Sequence, residues 1–348
     1  MQPPHPGLPL SGSTLGNPTM KKSLIALAAL MTTGAALAQS NVTLYGRVDL
    51  SVGNLKDKVK NTSTTQMFQG GDGGLTTSRW GLRGTEDLGG GLKAAFKLEN
   101  RFNADTGASQ DPYFKGESSL SLMGGFGEVK LGRSTTVYDD VRGLGQSRDV
   151  FDSAFTASSN GVFKSGGDYA SRFDNKISYY SPNMGGFYAG IDVSLDEKAG
   201  VSQDKYAFKA GYKQKEFEVA LAHQNEKDKS DKYTALAAMY DFGSFSVSGA
   251  YNQRKGSAAN GDDSEYALGV TVPVGAWAFS GGYAYSKTKD SAGGAKNGKA
   301  SGFALGATYA LSKRTRLYAG YRDVVVKNNV GAKTKDERLV AFGMRHDF

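Results

Sequence analysis

The chain has 348 residues, no cysteine, 47 glycines, 8 prolines, 11% aromatic residues and a formal charge of +8. Without cysteine there is no disulfide framework, thiolate metal site or cysteine nucleophile, and a mean hydropathy of −0.42 excludes a bundle of membrane helices. A glycine- and aromatic-rich but proline-poor balance is that of strands joined by tight turns.

The first element in chain order is an export signal. Met20, Lys21 and Lys22 open a short basic region, and Leu24 to Met31 form an apolar core. That core is too short to span a bilayer, which takes roughly 20 residues. Ala36, Leu37 and Ala38 then supply an Ala-x-Ala cleavage site, so residues 20–38 read as a secretory signal peptide. Residues 1–19, upstream of a good start methionine and without targeting logic, are expected to be an over-extended start. Cleavage after Ala38 leaves 39–348, a mature chain of 310 residues, and removes two lysines, taking the formal charge to +6.

Strict alternation begins at once. Val42, Leu44, Gly46, Val48, Leu50 and Val52 share one phase, and Thr43, Tyr45, Arg47, Asp49 and Ser51 the other. Leu92, Ala94, Phe96 and Leu98 alternate with Lys93, Lys97, Glu99 and Arg101 in the same way. At the chain's end Val340, Phe342, Met344, His346 and Phe348 alternate with Ala341, Gly343, Arg345 and Asp347. Successive side chains on a strand point to opposite faces, so this is strand. One face is apolar and the other carries full charges. A closed membrane barrel with a wet lumen wants that division, and closure satisfies every backbone group in lipid.

Such stretches lie near 41–53, 78–87, 91–104, 115–124, 128–134, 171–181, 186–195 and 204–213. They continue near 216–226, 232–242, 244–254, 263–273, 276–288, 301–311, 314–327 and 336–348, about sixteen in all. The expected fold is therefore all-β, a 16-stranded antiparallel transmembrane barrel over 39–348. Connections alternate between short turns, such as Leu88-Gly89-Gly90 and Val274-Gly275, and long polar loops at 54–77, 105–114, 135–170, 196–203, 227–231, 255–262, 289–300 and 328–335. Short turns on one side and long loops on the other are characteristic of these barrels.

Four stretches carry a family resemblance: Val42-Thr43-Leu44-Tyr45-Gly46, the run Ser78-Arg79-Trp80-Gly81-Leu82-Arg83-Gly84-Thr85-Glu86-Asp87-Leu88-Gly89-Gly90-Gly91-Leu92, Phe126-Gly127-Glu128-Val129-Lys130-Leu131-Gly132-Arg133, and the terminal Arg345-His346-Asp347-Phe348. Together they resemble the general porins of β-proteobacteria over the whole mature chain. The resemblance implies a homotrimer in the outer membrane that passes small hydrophilic solutes and ions. It also implies a third loop folded into the barrel, and a terminal Phe348 read by the barrel-assembly machinery.

The connection 135–170 is by far the longest, and loops of that size are functional or disordered. It carries Asp139, Asp140, Asp149 and Asp152, with Tyr138, Phe151 and Phe155 between them; the aromatics suggest packing on the inner wall, a solvated outer loop being the alternative. The resemblance implies a basic ladder opposite these acids. The candidates are Arg47, Arg79, Arg83, Arg101 and Arg172, with Arg133 on the apolar phase but at its strand's end, its direction open. Arg79 and Arg172 match by motif, and Lys115 is a further candidate. Each arginine could instead only balance a neighbouring carboxylate. Opposed charges would set up a transverse field in a narrow passage and sort ions, with a mild lean to anions. Loop lysines Lys56, Lys58, Lys60, Lys227, Lys229, Lys296 and Lys299 form a rim able to meet lipopolysaccharide.

No cofactor or nucleic-acid partner is implied. His223 lies mid-strand and His346 on an apolar phase, neither beside a serine nucleophile. The run 293–299 has phosphate-loop spacing but ends at Ala300 where a serine or threonine should follow, and Asn260 to Asp263 is a weak calcium candidate. A soluble exported sandwich, a barrel enzyme and a plugged receptor are the other classes. The sustained charged-versus-apolar alternation disfavours the first, the missing nucleophile the second and the length the third.

Overall fold

The computed structural model describes residues 41–70, 73–145, 155–163, 169–195, 197, 204–256, 261–289 and 298–348. The signal-peptide and start-site expectations therefore lie outside the described residues. The first strands are β1 (Asn41–Asp57), β2 (Thr62–Gln69), β3 (Arg79–Gly89), β4 (Leu92–Arg101), β5 (Glu117–Gly124) and β6 (Gly127–Thr135). A helix, α1 (Val137–Leu144), precedes β7 (Arg172–Tyr180), β8 (Phe187–Ser194), β9 (Lys205–Lys213), β10 (Phe217–Glu226) and β11 (Asp231–Asp241). The last six are β12 (Ser246–Lys255), β13 (Asp262–Val274), β14 (Trp277–Lys289), β15 (Gly298–Ala310), β16 (Thr315–Lys327) and β17 (Lys333–Asp347).

All the strands form one antiparallel sheet that closes on itself. β17 pairs with β1 from Arg47 opposite Asp347 to Asp57 opposite Glu337. The seam finishes with two reciprocal bonds, Gly46 N–H to the Phe348 carbonyl at 2.9 Å and Phe348 N–H to the Gly46 carbonyl at 3.0 Å. On its other side β1 pairs with β2 along Leu50–Asp57 and with β3 along Asn41–Arg47. β2 and β3 thus share one place in the ring, which makes a closed barrel of sixteen positions. Both ends of the described chain lie at the short-turn end.

The sequence reading differs from the structure at 54–77. β1 runs on to Asp57, and β2 occupies what was expected to be loop. Thr62, Ser63, Thr64, Thr65 and Gln66 lack an apolar phase because they pair with the outer half of β1, beyond the lipid-facing band, where alternation is not required. Between β2 and β3 the described residues 73–78 turn inward. The Ser51 hydroxyl donates to the Gly73 carbonyl at 2.7 Å, and Thr76 N–H donates to Asp49 at 3.1 Å. Tyr318 donates to the same carboxylate at 2.5 Å.

The two faces differ as the alternation requires. Leu44 is 58% exposed, Leu268 58% and Phe342 65%, all outward, whereas Asp49, Asp192 and Glu265 are fully buried on the inward phase. A continuous apolar belt of this extent is covered by lipid, not water. Trp277 packs at a tilt against Tyr309 at 4.7 Å and Tyr240 against Phe242 at 4.5 Å near the short turns, where an aromatic girdle meets headgroups.

The described parts of the connection 136–171 pack on the inward face. Val137, Tyr138 and Val141 of α1, with Tyr169 and Phe173, pack against Ala207, Ala220, Ala222, Ala235 and Ala237. Those alanines alternate with the lipid-facing Phe208, Leu221 and Leu236. Farther along, Ala157, Val162 and Phe163 pack on β14 to β16 through Ala284, Ala304 and Val324, and Phe155 packs on Phe68, Leu75 and Tyr318. Alanine at inward positions leaves the width of a helix beside the wall.

Candidate pore constriction

Strand register builds a basic row. Arg47 of β1 is paired with Arg79 of β3, and Arg79 with Arg101 of β4. Three guanidinium side chains therefore start from one line across three neighbouring strands. Like charges placed directly opposite repel, so counter-charges are needed. Glu99, two residues before Arg101 and on the same inward phase, supplies the shared one. Its Oε1 lies 3.6 Å from Arg79 and 3.5 Å from Arg101. Its Oε2 accepts from the Tyr45 hydroxyl at 3.2 Å and lies 3.8 Å from Lys97. Arg47 pairs with Asp347 at 3.1 Å. The inward-turned segment completes the cradle, with Arg79 donating to the Thr76 hydroxyl at 2.8 Å and the Thr77 carbonyl at 3.1 Å.

Arg172 joins from β7. Its Nε donates to the Gly116 carbonyl at 2.7 Å, and Gly116 N–H donates to the Glu99 carbonyl at 3.0 Å, which holds Arg172 beside the row. Arg133 resolves differently. Gly132 has φ +108, a backbone conformation suited to glycine, and the β6–β7 register shifts there. Arg133 then pairs with Asp174 and donates to the Lys115 carbonyl at 3.3 Å, at the margin of the row near Arg172. Arg83, two inward positions nearer the short turns than Arg79, lies over the Tyr45 ring at 5.1 Å. Beside it Lys97, its register partner on β4, meets Glu117 at 2.8 Å, and Lys130 meets Glu117 at 3.6 Å and Glu128 at 3.4 Å. Glu99, Glu117, Lys97 and Lys130 were not singled out from sequence as site residues, although their inward phase and charge were the available signal.

Opposite this wall stands α1. Thr136 caps it by accepting Asp139 N–H at 3.2 Å, and Asp139 and Asp140 occupy its first turn, where a helix favours negative charge. Val137 N–H donates to Asp192 at 2.7 Å, and Asp192 pairs with the buried Lys176 at 3.2 Å. Asp140 is engaged on its own side by Lys209 at 2.7 Å. Asp139 accepts from the Tyr169 hydroxyl, which in turn accepts from Arg142 at 3.2 Å. Burial, reinforced by Asp139 and opposed by Arg142, pushes the Tyr169 phenol well up, so it stays a donor. Asp139 also acts electrostatically on Arg172. Asp149 and Asp152 lie outside the described residues.

The other candidates are accounted for locally. His223 and His346 each share a hydrogen bond with a threonine, Thr234 at 2.9 Å and Thr315 at 2.8 Å. Asp262 is paired with Lys255 at 2.9 Å and Asp263 with Arg254 at 2.5 Å, and no metal-binding cluster occurs among the described residues. Of the phosphate-loop-like run, residues 293–297 are outside those described.

A closed barrel with a lipid-facing belt, a charged lumen and a connection lying inside it is a membrane pore. The comparisons give the same class. Residues 23–329 match the family described as Gram-negative porin, and the chain belongs to that family. Outer membrane porin protein 32 of Delftia acidovorans is 39% identical over 324 residues, covering 86% of this chain and 88% of that one. The solved anion-selective porin from Comamonas acidovorans is 31% identical, with a TM-score of 0.73 over 89% of this chain and 100% of that one. OmpT of Vibrio cholerae, solved in a trimer form, shares the fold at 17% identity and a TM-score of 0.69, over 89% of this chain and 99% of that one. The protein is an outer-membrane porin, a channel for passive diffusion of small hydrophilic solutes and ions.

Proposed function

We propose that this porin is a homotrimeric channel with a weak preference for anions, set where Arg79, Arg101 and Arg172 face the loop acids Asp139, Asp140, Asp149 and Asp152. The observation that carries this reading is the sharing of Glu99 by Arg79 and Arg101, which leaves the row with more cations than carboxylates. Arg47 and Arg83 extend the positive wall, and Arg133 lies at its margin. Fixed cations in a narrow low-dielectric passage raise the local concentration of anions. Of the two structural relatives, one is an anion-selective porin and one was solved in a trimer form, which supports the same reading. The channel performs no catalysis. We further infer that 20–38 is a cleaved signal peptide behind an over-extended start. Phe348 serves as the assembly signal, and the loop lysines meet lipopolysaccharide.

The test is the reversal potential of purified protein in a planar bilayer under a salt gradient. Conductance in steps of three with a potential favouring chloride is the expected outcome. Potassium preference in the wild type would overturn the anion reading, and single unlinked steps would overturn the trimer.

A further inference from the structure

On the long-loop side of the basic row the lumen holds a second polar site. A cavity of about 630 Å³ lies between β2, the connection after β4, the loop segment 155–163 and the β16–β17 wall. Its walls are held independently of any solute. The Asn160 side chain donates to Glu337, Lys335 donates to the Asn160 amide oxygen at 2.9 Å, and Arg322 donates to the Ser159 hydroxyl at 3.1 Å. The facing wall is a turn closed by Asn103 N–H to the Ala108 carbonyl at 2.8 Å and Gly107 N–H to the Asn103 carbonyl at 2.7 Å. The cavity is pre-formed, as ligand pockets usually are.

Its chemistry differs from that of the row beneath it. Side-chain amides dominate: Gln66, Gln69, Asn103 and Asn160 all line it. Charge is balanced, with Asp105 and Glu337 against Arg322 in the lining and Lys335 beside Glu337. A net-neutral site gives no advantage to an anion or a cation. Neutral amides line the cavity where the basic row presents cations, and an anion there would meet the Asp105 and Glu337 carboxylates as well as Arg322. Amides carry donors and acceptors together, as does a run of vicinal hydroxyls.

We propose that this vestibule cavity, marked by Gln69, Asn103, Asp105 and Asn160, is a binding site for neutral polyhydroxylated solutes, which it collects ahead of the constriction. The proposal rests on the chain being an open pore. Conductance in salt alone reports that pore by itself, so the two readings fail separately.

The experiment is single-channel current of the full protein with sucrose added to one side and then the other, using a polyethylene glycol of matched mass as the control. Saturable current reduction by sucrose from one side only, with merely proportional reduction by the glycol, is expected. Gln69→Leu and Asp105→Ala should each raise the half-blocking sucrose concentration about tenfold while sucrose-free conductance stays at the wild-type value. Asp105 is exposed on a loop, so its variant tests the site even if Gln69→Leu disturbs the neighbouring segment. Proportional, unsaturable reduction in the wild type overturns the proposal, as does saturable block that neither substitution weakens.

Discussion

Arg79 and Arg101 stand directly opposite one another on hydrogen-bonded strands and reach the same oxygen of Glu99. One carboxylate thus holds two guanidiniums that would otherwise repel. Replacing it with Glu99→Gln should act in two ways at once. The row becomes more positive, so the reversal potential should move toward chloride. Removing one partner of a buried ionic network costs about 3 kcal/mol, which should lower the temperature at which the folded barrel unfolds. Arg79→Glu and Arg172→Glu should move the potential toward potassium instead. A potential unchanged in all three variants would remove the row from control of selectivity.

The clasp between Lys176 and Asp192 holds the inward loop to the wall. Both side chains are buried, and Asp192 also accepts Val137 N–H at the start of α1. Asp192→Asn would leave the Lys176 ammonium buried in the wall without a counter-charge, held by neutral acceptors such as the Thr135 carbonyl at 2.6 Å. The expected loss is about 3 kcal/mol together with a noisier open-channel current as α1 loosens. Lys176→Met combined with Asp192→Asn should recover most of the thermal stability but not the quiet current, because Val137 still lacks its carboxylate.

Most of the barrel is written in period two because lipid and water impose opposite demands on neighbouring residues. Val42 and Leu44, exposed on the lipid face, and Asp49, buried inside, could be assigned before any pairing was known. β2 escaped because its pairing with the outer half of β1 lies above the belt, where nothing forces alternation. The inward lie of the long connection was half legible. Tyr138 and Phe155 marked it as packed, but the matching signal, alanines at the inward positions 207, 220, 222, 235 and 237, reads as unremarkable until a helix fills the space. Partners were harder still. Asp140 meets Lys209, 69 residues away in sequence, and only the closed ring decides that. Arg133 turned on one glycine's backbone angle.

Alkaline pH should release the loop through Tyr169. Burial raises its phenol above the ordinary value of about 10. A group whose folded value is raised contributes stability fully below the unfolded value, and that contribution is lost as pH climbs beyond it. Ionised, Tyr169 could no longer donate to Asp139 and would place two negative charges together. Current noise should therefore stay flat to about pH 10 and rise above it. The Tyr169→Phe channel should lack that step, being moderately noisy at every pH. A wild-type trace that stays quiet into strong alkali would mean that the Tyr169–Asp139 bond does not hold the loop.

The wall tolerates the loop because two residues there have no side chain. A Cβ at Gly302 would collide with the backbone oxygen of Ala157, and one at Gly320 with the ring of Phe155. Backbone cannot turn aside as a flexible side chain can, so Gly302→Ala should displace 155–163 toward the passage. Overpacking of this kind costs about 1 to 3 kcal/mol, and here it falls on the loop, not on the strand ladder that closes the barrel. Single-channel conductance should therefore drop in Gly302→Ala while the barrel's unfolding temperature changes little. Gly282→Ala is the control, because its added Cβ would sit 3.6 Å from Ala157 in ordinary contact on that side and 3.3 Å from the Leu268 carbonyl. Equal conductance in the two variants would mean that the loop is not what narrows the pore at this level.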